Sequence, residues 1–511
     1  MPMFSKSGKY VKDLSLVGNS GEGTSYDFVI VGGARLTEDP SISVLLLEAG
    51  GSGSALSESR IPAAFTQLRG TPHLFNFTLE PQLHATSRPR HFPRGRVLGG
   101  CSSVNAQMAQ YGAPGDFDQW ASPRSLLKFE KYTGDAVYPD VDMSARGSAG
   151  PVRVGYFNRV SEHSKGFVEA CREVGIPFIA DFNDPKGPIG ASRVVTYVDP
   201  KGQRVSSKTA YLTKDVLARP NLKVAIHAQV TLERANGPPR AIGVEFAGSP
   251  GGPRLKALVH KEVILSAGAI HSPHILMLSG LGPATQLRKQ GISIVRDMPA
   301  VGANLVDHPL VSLYLRDKKN DSTNLLKPKT VLEGLQLAKK LAQYQLFGTG
   351  KLATNDHGQV VFNVHTYGLH CYLLRPTSRG SIGLASPDPW ALPTVDPNYL
   401  HARHDLEKLL RGFRLITRIA RANAMDAYIN SADTNPELDH SMHLKTDDEL
   451  REVIRERVET VYYPTSTCRM AQEVEGGVVD SSLRVYGAGA CFAIAEKFAD
   501  GLKVEYQALK L

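Results

Sequence analysis

Two short apolar runs, each closed by glycine, constrain this chain more than any other feature. Tyr26–Val31, YDFVIV, leads into Gly32 and Gly33. Ser43–Leu47, SVLLL, leads into Glu48, Ala49, Gly50 and Gly51. Continuous apolar runs of this length read as strands buried on both faces, as a parallel sheet requires. A strand, a glycine turn and a second strand ending in an acid outline a dinucleotide-binding unit. The turn offers backbone N–H groups to a pyrophosphate, and the acid takes a ribose hydroxyl. The outline is incomplete. The full fingerprint is G-x-G-x-x-G, and here the glycines run straight into Ala34, Arg35 and Leu36. Only 11 residues, Gly32 to Ile42, part the two runs, whereas a parallel crossover takes about a dozen or more. Two glycines alone read equally as an ordinary turn.

Length and composition narrow the class. At 511 residues the chain exceeds one ordinary core, so several domains or one large two-part fold is expected. A composition of 42% hydrophobic and 21% charged residues excludes a mainly disordered chain. Five cysteines exclude a disulfide scaffold. No apolar run is long enough to predict a membrane-spanning helix. The net charge of +9 is thin over this length. Its densest clusters, Arg88, Arg90, Arg94 and Arg96, and Lys327, Lys329, Lys339 and Lys340, read as solvated faces rather than a nucleic-acid surface. An anionic cofactor accounts for the excess equally well. The N-terminal stretch is polar and Gly/Ser-rich and lacks the apolar core of a signal peptide. The expected location is therefore intracellular, in the cytoplasm.

Further patterns follow along the chain. Pro93–Asn105, PRGRVLGGCSSVN, combines glycine pairs with small polar residues, as a ligand loop does. Ser161–Val174 has helical spacing, and Asn221–Val230, Ala241–Glu245 and Lys261–Leu265 read as strands. In Ser266–Gly280, Pro273 suits a first helical turn and Gly280 a helix stop. His271 and His274 are metal ligands by type, but with no third ligand nearby they read as loop or capping residues. Val301–Pro309 reads as a polar loop and Leu373–Ile382 as strand and turn. Val331–Leu346 and His404–Asn423 read as amphipathic helices, and the apolar residues of the second belong to the core.

Taken together, the motifs resemble those of the glucose–methanol–choline (GMC) oxidoreductases, FAD-dependent alcohol and sugar oxidases or dehydrogenases. The carrying stretches are YDFVIVGG with LLLEAGG, PRGRVLGGCSSVNA, SAGAIHSPHILMLSGLGP, VGANLVDHP, LLRPTSRGSI with VDPNYL, and YYPTSTCRM. They occur in the family's order, from Tyr26 to about Asp500. The resemblance implies an α/β fold, α+β overall, with a Rossmann-type FAD-binding domain and a substrate domain built on an antiparallel sheet and helices. It places the FAD-binding domain in 26–155 and 221–310, the substrate domain in 156–220 and 311–460, and a C-terminal FAD-binding segment in 461–511. It assigns Gly32 and Gly33 to the pyrophosphate turn and Glu48 to the adenosine ribose. Val97, Gly100, Asn105 and Ala106 match the loop beside pyrophosphate and isoalloxazine, and Val230 a backbone contact to adenine. The implied partner is a small-molecule alcohol, oxidised by hydride transfer to flavin while a histidine takes its proton.

This chain departs from the family pattern at five places. The glycine turn is short. Tyr463 stands where the family has its catalytic histidine, and a phenol with an ordinary pKa of about 10 is a poor base beside imidazole at about 6.5. The C-terminal segment passes within a few residues from Leu483–Gly487 to Phe492–Lys497, without the second catalytic position. The stretch from Ala353 to Tyr372 is also shortened. Cys101 replaces a family Ser or Thr. His308 is a structural loop position in the resemblance, and Cys468 and Cys491 read as small buried residues. Two readings remain: an FAD-dependent enzyme acting on secondary metabolites or similar alcohols, and an inactive or truncated relative without its catalytic histidines. A nicotinamide enzyme is disfavoured, because the later motifs belong to the flavin family.

Overall fold

The computed structural model describes residues 10–21, 23–31, 35–112, 128–134, 140–234, 241–320, 326–354, 359–361 and 364–486. Gly32, Gly33, Cys491 and the segment after Tyr486 lie outside them. The largest sheet has six strands: β1 (Thr24–Val31), β2 (Val44–Glu48), β3 (Leu222–Ile226), β4 (Gln229–Arg234), β5 (Ala241–Ala247) and β6 (Leu255–Leu265). Their order is β3-β2-β1-β6-β5-β4. The first four run parallel and the last two extend the sheet antiparallel. Val29 lies between Leu45 and Val263 in register.

The apolar runs are continuous because both faces are covered. Val29, Leu45 and Leu47 enter one core, while Phe28, Ile30, Val44 and Leu46 enter the other. On the second face the short crossover contributes Leu36 and Ile42. Its described helix is the single 3-10 turn Arg35–Glu38. The two strands pair in parallel all the same.

A second sheet, wholly antiparallel, contains β7 (Pro309–Arg316), β8 (Gln359–Val361), β9 (Val364–Tyr372) and β10 (Glu459–Thr460), in the order β8-β9-β7-β10. The main helices are α1 (Glu162–Glu173), α2 (Gly268–Leu278), α3 (Val331–Phe347), α4 (Arg403–Ala420) and α5 (Asp447–Arg457). Leu406, Leu409, Leu410, Phe413, Ile416 and Ile419 of α4 are buried. The helix lies so close to β9 that a Cβ on Gly412 would meet Cys371 Sγ at 2.2 Å.

Four local expectations are corrected. Asn221–Val230 is two strands rather than one, because His227 adopts a positive φ of 60° and breaks the run. Pro273 sits inside α2, not in its first turn, and His271 and His274 are helical rather than loop residues. Of Leu373–Ile382, only the end joins a strand, Ser381–Gly383. Before it, the buried Asp405 carboxylate takes the N–H groups of Thr377 and Ser378, both at 2.7 Å, in place of a sheet partner. The arginine cluster is no solvated face. Arg90 is buried and donates to Val458 O at 2.8 Å and Thr86 O at 2.6 Å, and Arg94 donates to Tyr462 O at 2.5 Å.

Phe413 of α4 is fully buried, in the core cluster that also takes Val311, Leu313 and Leu369 of the second sheet. Phe413→Ala is expected to lower unfolding free energy by about 3–5 kcal/mol, read from the urea midpoint.

Candidate cofactor site

A cavity of about 440 Å³ opens at the carboxyl ends of β1, β2 and β6. That is where open α/β sheets bind ligands. Val31 and Glu48 form its strand-end wall, and Ala267–Ile270 at the start of α2 forms another. A two-stranded ribbon, Leu74–Thr78 with His91–Gly95, brings in Phe75, Arg94 and Gly95. The loop Leu98–Cys101 and the turn Ser207–Leu212 complete the lining.

Side chains hold the loop in place. Ser102 Oγ donates to Gly99 O at 2.6 Å, and Ser103 Oγ to Leu98 O at 2.8 Å. Arg204, only 4% exposed, donates to Ser102 O at 3.2 Å, to Asn105 O at 2.6 Å and to Asn105 Oδ1 at 2.7 Å. Glycine is required here by both torsion and space. Gly99 has φ +89°, and a Cβ on it would meet Ser103 Oγ at 2.5 Å. A Cβ on Gly95 would come within 2.4 Å of Gly100 C and O.

Burial governs the titratable groups. Glu48 accepts the Gly50 N–H at 2.7 Å. Loss of water nonetheless pushes its carboxyl up to about 7, against opposing help from that bond and from Arg96. The His271 ring packs at a tilt against Phe75, with ring centroids 4.2 Å apart. Burial, with His274 and two arginines adding to it, takes His271 down to about 3, and burial takes His274 to about 4. Both imidazoles are therefore neutral near pH 7. Among the described residues no group of three or more His, Cys, Asp or Glu side chains is set to hold a metal.

Of the residues singled out by sequence, Glu48, Gly100 and Val230 line this cavity together. Val97, Asn105 and Ala106 do not. Val97 is buried behind it, bridged to Gly51, and the Asn105 side chain is committed to Arg204. Sequence reasoning missed Lys208, Arg94 and Phe75, whose places depend on segments far apart in the chain.

Four family motifs meet beside the cavity. Gly302 N–H donates to Thr467 O at 2.9 Å, Val306 N–H to Thr465 O at 3.1 Å, and Leu305 N–H to Gly380 O at 3.0 Å. Thr467 Oγ1 donates to Ala269 O at 2.5 Å. Buried Asp307 accepts from Tyr463 N–H at 3.1 Å and from the Tyr399 hydroxyl. Tyr463 does not line the cavity; its ring stacks on His308 at 6.2 Å. Burial raises its phenol pKa, so no depressed value rescues it as a base. Nearby in the second sheet, Ser312 stands opposite His370, their Oγ and Nδ1 2.8 Å apart. Burial lowers the pKa values of His308 and His370.

Glu48 yields a pH test on the cofactor-free protein. A carboxyl raised from 4.5 to about 7 contributes stability that is intact below about 4.5 and lost as pH rises through about 7. Glu48→Gln escapes that loss. Its urea stability relative to wild type is expected to rise between about pH 5 and about pH 8, by on the order of 3 kcal/mol.

Comparison with known proteins agrees with this architecture. The family described as GMC oxidoreductase matches residues 26–310 with its N-terminal part and 376–490 with its C-terminal part. Dehydrogenase str4 of Strobilurus tenacellus is 32% identical over 585 positions, covering 94% of each chain. An oxygen-dependent choline dehydrogenase of Acinetobacter baumannii is 32% identical over 512 positions, covering 90% of each. Among solved structures, a formate oxidase of Aspergillus oryzae superposes with TM-score 0.83 at 22% identity, over 95% of this chain and 99% of that one. The alignment to str4 runs over 585 positions against a chain of 511, so at least 74 of them face gaps here, and the relative carries segments this chain lacks. With both parts matched, and with the parallel sheet, glycine loop and antiparallel sheet in place, the chain belongs to the GMC oxidoreductase family.

Proposed function

We propose that this chain binds FAD in the cavity and oxidises a small primary or secondary alcohol, of the kind found in secondary metabolism, by hydride transfer to the flavin. The observation that carries the reading is the cavity at the carboxyl ends of the parallel strands, with Glu48, a glycine loop and Val230 on its walls. The names of two relatives, a dehydrogenase and a choline dehydrogenase, support it.

The lining fits such a cofactor. Glu48 is a half-buried carboxyl group placed to share hydrogen bonds with ribose hydroxyls. Gly100 lines the cavity with no protein atom within 4 Å of where a Cβ would stand, so a ligand can approach its backbone. Val230 contributes backbone at the adenine end, and Gly32 and Gly33 belong to the same binding surface in this reading, while Val97, Asn105 and Ala106 shape the loop that carries Gly100. The FAD-binding domain comprises 26–155, 221–310 and 461–511, and the substrate domain 156–220 and 311–460. Bound flavin supplies the hydride acceptor. The protein supplies position and a place for the alcohol proton.

Tyr463 keeps its own proton, because burial raises its pKa. It suits donating a hydrogen bond to a hydroxyl, not removing its proton. His308, stacked on Tyr463, and His370, whose Nδ1 lies 2.8 Å from Ser312 Oγ, are imidazoles whose pKa burial lowers, and a neutral imidazole has one ring nitrogen that can accept a proton. The raised Tyr463 also favours a second reading, a flavin-binding relative that no longer turns over alcohols.

The test is anaerobic mixing of the purified protein with a panel of alcohols while the visible flavin bands are followed. Bleaching by any of them supports the enzyme. A bound flavin that is never bleached supports the inactive relative, and a colourless folded protein sinks both. Tyr463→Phe is expected to reduce flavin within about threefold of the wild-type rate, since a protonated phenol contributes one hydrogen bond and no base. Tyr463→His alone is expected to leave turnover well below that of str4, because the second catalytic position is missing.

A further inference from the structure

A pyrophosphate at the turn after β1 carries two negative charges. The usual partner is the N-terminus of the helix that begins there. In this chain the crossover is short, and its described helix is the four-residue 3-10 turn Arg35–Glu38. So brief an element sums few peptide dipoles. The longer helix that opens on the cavity, α2, follows β6, on the far side of β1 from β2.

Lys208 stands on the near side. It belongs to the turn Ser207–Tyr211, opened by a capping box between Ser206 and Thr209. That turn is fastened to the glycine loop: Ser207 N–H donates to Ser102 Oγ at 2.9 Å, and Ser207 Oγ to Gly99 O at 3.3 Å. A Cβ on Gly99 would lie 3.2 Å from both the Lys208 N and Cβ. The side chain lines the cavity, and its Nζ donates to Ser54 Oγ at 2.9 Å, in the loop that follows β2 and Glu48.

The ammonium has three hydrogens, and one serves Ser54. Among the described residues no carboxylate lies within ion-pair distance of it. Burial lowers its pKa to about 8, and the neighbouring Arg60 pushes the same way. A half-buried cation whose partner is a hydroxyl is unfavourable on its own, and an anion offsets that cost.

We propose that Lys208 neutralises the cofactor pyrophosphate in this chain, in place of a helix N-terminus, which the described part of the short crossover does not supply. The proposal rests on the FAD reading above.

Calorimetric titration of the flavin-free protein with FAD, ADP and adenosine tests it. Lys208→Met is expected to weaken FAD and ADP roughly ten- to a hundredfold while adenosine stays within about twofold, as for loss of one charged hydrogen bond. Lys208→Arg is expected to retain most of the ADP affinity. Equal weakening of ADP and adenosine in Lys208→Met would mean that the lysine merely shapes the Ser54 loop, and would overturn the proposal. Unchanged ADP affinity would overturn it too. Lys208→Gln carries the same comparison should the methionine variant not fold. A wild-type protein that binds neither FAD nor ADP sinks the cofactor reading itself; one that binds FAD but ignores Lys208→Met sinks only the lysine.

Discussion

The cofactor cavity depends on one buried guanidinium. Arg204 gathers Ser59 O, Ser102 O, Asn105 O and Asn105 Oδ1. These acceptors belong to two segments that share no sheet or helix. Burial draws its pKa down to about 9, so it remains charged near neutral pH. A planar fork with five donors suits scattered carbonyls in a way that an ammonium would not. Gly99, Gly100 and Cys101 hang from one side of this clamp. Lys208 lies four residues beyond it along the chain. Losing the clamp would leave buried carbonyls unsatisfied and the loop without a fixed shape.

A second set of arginines joins the two sheets. Arg90 and Arg94 come from the ribbon beside the cavity, and their acceptors, Val458 O and Tyr462 O, flank β10. Arg88 adds an ion pair to Glu459 at 2.5 Å. The edge of the antiparallel sheet is thereby fixed relative to the cofactor cavity, and Tyr463 with it. Asp307 completes the arrangement by holding the Tyr463 backbone. The antiparallel sheet is thus held beside the cavity by side chains on a two-stranded ribbon as well as by a core cluster to which both sheets contribute.

Elements whose burial follows from local pattern were legible in the sequence. β1 and β2 announce themselves because parallel strands covered on both faces must be apolar throughout. The α3 and α4 helices show in their periodicity, and the motif series identified the family. What escaped were features decided by distant segments. His227 carries no glycine to mark its positive φ. Pro273 is tolerated within α2, where the pattern suggested a first turn. Arg90 looks like a surface charge until residues 368 positions away supply its acceptor. Of the candidate site, Glu48, Gly100 and Val230 converge as the motifs implied, whereas Lys208 lies in a stretch with no signal of its own. Its significance arises only from a cavity wall that no local pattern reports.

The parallel sheet also sets an order of events during synthesis. β1 and β2 end at residue 48, but their partners β3 and β6 begin only at residues 222 and 255. At about 5–20 residues per second the ribosome needs roughly 9–35 s to travel from residue 48 to residue 222. Throughout that interval two of the most apolar strands in the chain have no neighbour on their outer edges. Unpaired strand edges of this composition attract other nascent chains. Shielding of the first fifty residues during synthesis thus bears on yield separately from the stability of the finished fold.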